Sequence, residues 1–258
     1  MMRAERKILL PLVLVVAAGD WPLADHGSAP SPAPPAPQGP FSTTARPTLA
    51  RAVPVSGAML AQAPGAILLT FTTPLDPRRG SIAVVDDSMS LLDDPASTRV
   101  TGAHRTELRA SLRGRFRPGP YTVSWAAAAP GGPLVRQAYL FTVGPPQPPV
   151  LPDRPVALVQ QAGPLTIGLT APSDRVAHQT FTITLSEGVR PVSGARVGLV
   201  GQELEMDMGE APAVVRAVAP GRYVAVGDVV MASDWRITVT VQRGRAVIRT
   251  VFTYAAHY

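Results

Sequence analysis

Apolar and polar residues alternate with a period of two along most of this chain, the spacing that places successive side chains on opposite faces of a half-buried β-strand. Tyr121, Val123 and Trp125 alternate with small polar residues, and Tyr139, Phe141 and Val143 do the same, so two strands flank a Pro- and Gly-rich loop from Ala129 to Pro133. Ala66 to Phe71 and Ile82 to Val85 read as further strands, the first ended by Pro74 and Pro77 and the second by the acidic turn Asp86-Asp87-Ser88. Farther along, Leu165 to Leu169 and Phe181 to Leu185 are expected as strands separated by a loop containing His178. Ala195 to Val200, the segment after the Pro220-Gly221 turn, Trp235 to Gln242 and Val247 to Phe252 complete the set. No stretch carries a sustained helical period. The expected fold class is therefore all-β, with two immunoglobulin-like β-sandwich domains joined by a Pro-rich linker.

The boundaries follow from composition. Arg3, Arg6 and Lys7 precede the apolar run Ile8 to Ala18, the layout of a secretory signal. The run is shorter than the roughly 20 residues a bilayer span needs. Cleavage after Ala18 and retention as an anchor with Trp21 at the membrane interface both place the body outside the cytoplasm, the second giving a membrane tether. Residues 19–45 contain SAPSPAPPAPQGP, an extended tether in which His26 has no fixed neighbour. Residues 46–144 form the first module, the stretch from Gly144 to Pro155 a stiff linker that spaces the modules, and residues 156–258 the second.

Charge adds little to this picture. The formal net charge is +6, and Lys7 is the only lysine. Arg109 and Arg113 alternate with Leu108, Ala110 and Leu112, so the arginines form the wet face of a strand, and no nucleic-acid partner is expected. There is no cysteine, which excludes disulfides, thiolate metal sites and a thiol nucleophile. A helical zinc-binding histidine pair and a phosphate-cradling glycine loop are also missing, so no enzymatic activity is expected.

The segment Val53 to Asp76, the order PG-x-Y-T-V-x-W in Pro118 to Trp125, and the later x-F-T-V together resemble the CopC-like periplasmic copper-resistance domain, over roughly Arg46 to Gly144. The resemblance implies a Cu(II) site made by an N-terminal His with an Asp and a His from the loop after the Trp. The matching positions here are Arg46, Gly131 and Pro133. None of them supplies a metal ligand, so the family's Cu(II) site is expected to be lost. Met59, Met89 and His104 are scattered over different elements, and the methionines read as core filling.

Residues from Pro155 to Phe252 resemble the YtkA-like domain through Phe181 to Val197, Leu204 to Gly209, Pro220 to Tyr223 and Met231 to Trp235. If Leu204 to Met208 is extended, Met206 and Met208 share one face about 7 Å apart. Met231 could then close on them as a third sulfur. Thioethers select Cu(I) and need no deprotonation, so Met206, Met208 and Met231 are the candidate copper ligands, with His178 a conceivable fourth. Packing of the same methionines against Trp235 or Tyr223 is the competing reading. The combined resemblance implies extracytoplasmic copper handling with a copper-translocating membrane protein as partner; a metal-free interaction or structural module of the cell envelope is the alternative.

Overall fold

The computed structural model describes residues 45–145, 153–206 and 208–258. The signal-like run, the tether as far as Thr44 and most of the Pro-rich linker lie outside these residues. Among the described residues, eighteen strands carry the fold. In the first module they are β1 (Leu49–Val53), β2 (Met59–Leu60), β3 (Ala66–Phe71), β4 (Ser81–Val85), β5 (Arg99–Thr101), β6 (Glu107–Ser111), β7 (Gly119–Ala127) and β8 (Val135–Val143). The second contributes β9 (Val156–Ala162), β10 (Leu165–Ala171), β11 (Ala177–Glu187), β12 (Arg190–Pro191), β13 (Arg196–Glu203), β14 (Glu210–Pro212), β15 (Val214–Ala219), β16 (Arg222–Val229), β17 (Asp234–Arg243) and β18 (Ala246–Ala255).

In the first module, a sheet in the order β1-β3-β6-β5 faces a sheet built on β4-β7-β8. The alternation read from the sequence holds: Ile67, Leu69 and Phe71 point inward from β3, Leu108 and Ala110 from β6, and Tyr121, Val123 and Trp125 from β7. Phe71 meets Trp125 edge-on with ring centroids 5.0 Å apart, and Tyr121 stacks on Phe141 at 5.5 Å. The Tyr121 hydroxyl donates to the Arg117 carbonyl at 2.7 Å and accepts from its amide at 2.8 Å, so the turn leading into β7 is held by its own strand. Arg109 faces outward from β6 opposite Arg99 of β5, as expected of a solvated face.

The second module follows the same rule. Leu165, Ile167 and Leu169 of β10, Phe181, Ile183 and Leu185 of β11 and Tyr223 and Ala225 of β16 face Trp235, Ile237, Val239 and Val241 of β17. His178 does not sit in a loop, because β11 starts at Ala177 and pairs with β16 from Ala177↔Val229 onward. Leu204 to Met206 form bends beyond the end of β13, so the extended arrangement expected for Met206 and Met208 is replaced by a tight reversal in which the Met208 amide donates to the Met206 carbonyl at 2.9 Å. Glu203 causes this: its buried carboxylate accepts from the amides of Glu205 (2.7 Å) and Met206 (2.5 Å) and turns the chain.

The modules are packed together, where a spacing linker was expected to hold them apart. Strand β8 is buried on both faces: Tyr139, Phe141 and Val143 belong to the first core, while Ala138 and Leu140 belong to the second. Four consecutive apolar residues, Ala138 to Phe141, are what a two-sided strand requires. β14 pairs in parallel with β8 at Glu210↔Gln137, which joins β18-β17-β13-β14 to β8-β7-β4 and, with β2 also paired to β8, makes one eight-stranded sheet. Thr122 of β7 adds a hydroxyl bond to the Val230 carbonyl across the same junction. Gly209, with φ of +85°, makes the approach possible; a β-carbon there would lie 2.4 Å from the carbonyl carbon of Arg136.

Leu140→Ala is expected to lower unfolding free energy by about 2–5 kcal/mol, the range for a fully buried Leu truncated in a core. Gly209→Ala should destabilise through the backbone clash, and both are read from urea midpoints. A wild-type midpoint in either variant would mean that the junction contributes nothing to stability.

Candidate functional site

The loop between β7 and β8, where the resemblance puts the CopC-type metal site, makes a tight turn. The Gly132 amide donates to the Ala129 carbonyl at 2.9 Å, and Gly131 takes φ of +69° to make the turn. A β-carbon on Gly132 would lie 3.0 Å from the Ala45 carbonyl oxygen, so the start of the first module runs against this loop and brings Arg46 into its neighbourhood. The side chains at the three corresponding positions are a guanidinium, a hydrogen and a pyrrolidine ring. Arg79 Nη1 donates to the Gly132 carbonyl at 2.8 Å, adding a fixed positive charge to the loop. None of these three side chains offers a lone pair to a metal, and the Arg79 guanidinium adds positive charge beside them.

The methionines are distributed over different environments. Met206 is exposed, Met208 is half-buried, and Met231 is 6% exposed within the second core. Met208 packs against the cluster that contains Met231 and lines a shallow cleft with Trp125 and Arg136 of the first module. The Met231 carbonyl accepts from Trp235 Nε1 at 2.9 Å, which fixes the backbone of Met231 beside the indole. Met59 and Met89 are not core filling: Met59 points outward from the edge strand β2, and Met89 sits in a turn with φ of +63°. Among the described residues no three His, Cys, Asp or Glu side chains group closely enough to hold a metal ion.

A buried polar cluster lies where the modules meet. Asp228, in β16, has 5% of its side chain exposed, and its carboxylate is met from both sides. Ser56 of the first module donates to Oδ2 at 2.5 Å, and His178 Nδ1 of β11 lies 2.7 Å from Oδ1. The His178 ring lies over Gly57, where a β-carbon would fall 2.5 Å from it. Behind the cluster is a cavity of about 130 Å³, lined by Ser56, Trp125, Gln137, Tyr139 and Asp228 among others. The Tyr139 hydroxyl is buried and, among the described residues, has no hydrogen-bond partner. Burial, and secondarily the Asp228 charge, push that phenol well above its usual range, so it stays protonated. His178 is shifted upward chiefly by its hydrogen bond to Asp228, with burial opposing and the carboxylate charge assisting.

Ser56, His178 and Asp228 have the residue types of a hydrolase triad without its connectivity. Ser56 donates to the carboxylate, and its oxygen lies 3.4 Å from the same ring nitrogen that Asp228 engages. No second imidazole nitrogen faces the hydroxyl as a base, so this arrangement does not activate a nucleophile. His178 was the one member singled out in the sequence, as a conceivable fourth copper ligand. A signal for Asp228 existed: it is a lone acid within the apolar run Val224 to Met231, and a buried charge needs a partner. Nothing in the sequence marked Ser56 as that partner, because 172 residues separate the two.

The architecture is that of two β-sandwiches sharing a sheet. Residues 49–144 match the CopC domain. The crystal structure of CopC from Methylosinus trichosporium OB3b is 24% identical, with a TM-score of 0.35, covering 40% of this chain and 97% of that one. PcoC, a methionine-rich copper resistance protein from Escherichia coli, is 26% identical over 38% of this chain and 99% of its own, with a TM-score of 0.33. A tetra-tandem repeat from the extending region of a large adhesion protein spans 77% of this chain and 48% of its own at 14% identity, with a TM-score of 0.27. No curated protein matches the chain.

Tyr139→Phe is expected to leave stability unchanged or raise it by up to about 1 kcal/mol, since it removes a buried hydroxyl that forms no bond. A loss of more than 1 kcal/mol in urea unfolding would show that the hydroxyl has a partner in the cavity.

Proposed function

We propose that this protein handles copper outside the cytoplasm. The observation that carries the reading is the CopC domain over residues 49–144. In this reading the domain has given up its Cu(II) chemistry, which is supported by Arg46, Gly131 and Pro133 at the ligand positions and by the Arg79 guanidinium on the Gly132 carbonyl. The apolar run at the N-terminus supports export. The second module is read as YtkA-like on its Leu204–Gly209 and Met231–Trp235 motifs, and the expected partner is a copper-translocating membrane protein.

The donors available to Cu(I) are Met206, Met208 and Met231. Met206 and Met208 are joined by a backbone hydrogen bond; Met206 is exposed, while Met208 is half-buried against the cluster holding Met231. Soft thioethers in this position suit a cuprous ion and no hard cation. A second reading, a metal-free interaction module of the envelope, is favoured by the burial of Met231, whose position beside Trp235 is sufficiently explained by packing.

Competition against a Cu(I) chelator separates the two. The wild-type protein is expected to take up Cu(I), and Met206→Ala with Met208→Ala to weaken it at least tenfold, about 1.4 kcal/mol. Met231→Ala tests the third sulfur by the same assay. Absence of binding by the wild type, or unchanged affinity in the double variant, would remove the methionine site and leave the envelope module.

A further inference from the structure

The turn from Val53 to Ala58 belongs to the first module by its backbone bonds, Ala58 N to the Val55 carbonyl at 3.1 Å and Gly57 N to the Leu140 carbonyl at 2.8 Å. Its connection to the second module runs through side chains: Ser56 on Asp228, and the His178 ring over Gly57. Asp228 is a buried carboxylate whose two oxygens are engaged by a neutral hydroxyl and an imidazole. A charge in that position is costly unless an opposite charge accompanies it, and among its contacts only the imidazole can supply one. His178 keeps 37% of its side chain exposed, so the proton can exchange with solvent without unfolding.

We propose that Ser56, Asp228 and His178 form a proton-operated clasp between the modules: protonated His178 locks the Val53–Ala58 turn onto β11 and β16, and its deprotonation loosens the turn and opens the cavity behind it. The groups facing His178 are Asp228 from β16, Ser56 and Gly57 from the turn, and, through Asp228, Tyr139 from β8. Ser56 and Gly57 do not titrate, and the Tyr139 phenol is pushed upward, so His178 carries the response against the Asp228 carboxylate. The direction follows from the hydrogen bond to Asp228, which raises His178 above its ordinary value near 6.5. A raised value means that the stabilisation is complete below about pH 6.5 and is lost as pH rises through the value in the folded protein. The clasp does not depend on copper.

The test uses the full chain in two measurements. Thermal midpoints from pH 5.5 to 9 should show the wild type losing its margin over His178→Gln by several degrees across the titration, with Asp228→Asn behaving like His178→Gln. Subtraction of the variant removes every ionisable group that the two proteins share. In parallel, the His178 ring signals in NMR should titrate above 6.5, and the Gly57 amide should shift with the same midpoint. A wild-type margin that stays constant with pH, a His178 ring titrating at or below 6.5, or a Gly57 amide indifferent to it would each overturn the clasp. Should both variants fail to fold, the wild-type NMR titration decides alone.

Discussion

Strand β8 has to satisfy two hydrophobic cores at once. Tyr139, Phe141 and Val143 complete the interior of the first sandwich, and Ala138 and Leu140 on the reverse face complete that of the second. An ordinary antiparallel sheet of this kind leaves one face in water. Here the second module covers it, and the rest of the junction follows. β14 can pair with β8 only because Gly209 has no side chain, and Thr122 finds the Val230 carbonyl only because β7 lies beside β8. Removing either sandwich would expose a continuous apolar strip on the other.

Burial on that scale raises the question of how polar groups are accommodated at the seam. Most are paired: the Thr122 hydroxyl takes a carbonyl, and Asp228 takes Ser56 and His178. Among the described residues the Tyr139 hydroxyl beside its cavity has no such partner. The seam thus combines an apolar contact centred on Leu140 with a polar cluster around Asp228. An apolar contact is insensitive to pH, whereas a carboxylate facing an imidazole is not, and the two give the same junction different responses.

The copper reading has to be consistent with these constraints. In the first module the loop between β7 and β8 turns against Ala45 and is anchored by Arg79 on the Gly132 carbonyl. The methionines of the second module occupy a surface reversal and a core position, so any shared coordination draws on the adaptability of thioether side chains more than on a rigid cage.

Alternation along β3, β6, β7, β11 and β17 was legible from the residues alone, because period-two burial needs only local strand geometry and one apolar face. The CopC character of residues 49–144 was legible too, since it rests on residues close together in the chain. The bends after Glu203 were not legible in the sequence, because a buried carboxylate bonding two amides overrides the extended preference of a short apolar segment. The linker's prolines suggested separation, and the four apolar residues at Ala138 to Phe141, which argue for contact, were read for one face only. Sequence by itself determined which residues would be inside a sandwich. Only the tertiary structure decided that two interiors share one strand and that Ser56, His178 and Asp228 meet, because partners far apart in the chain are selected by the packing of whole sheets and leave no local trace.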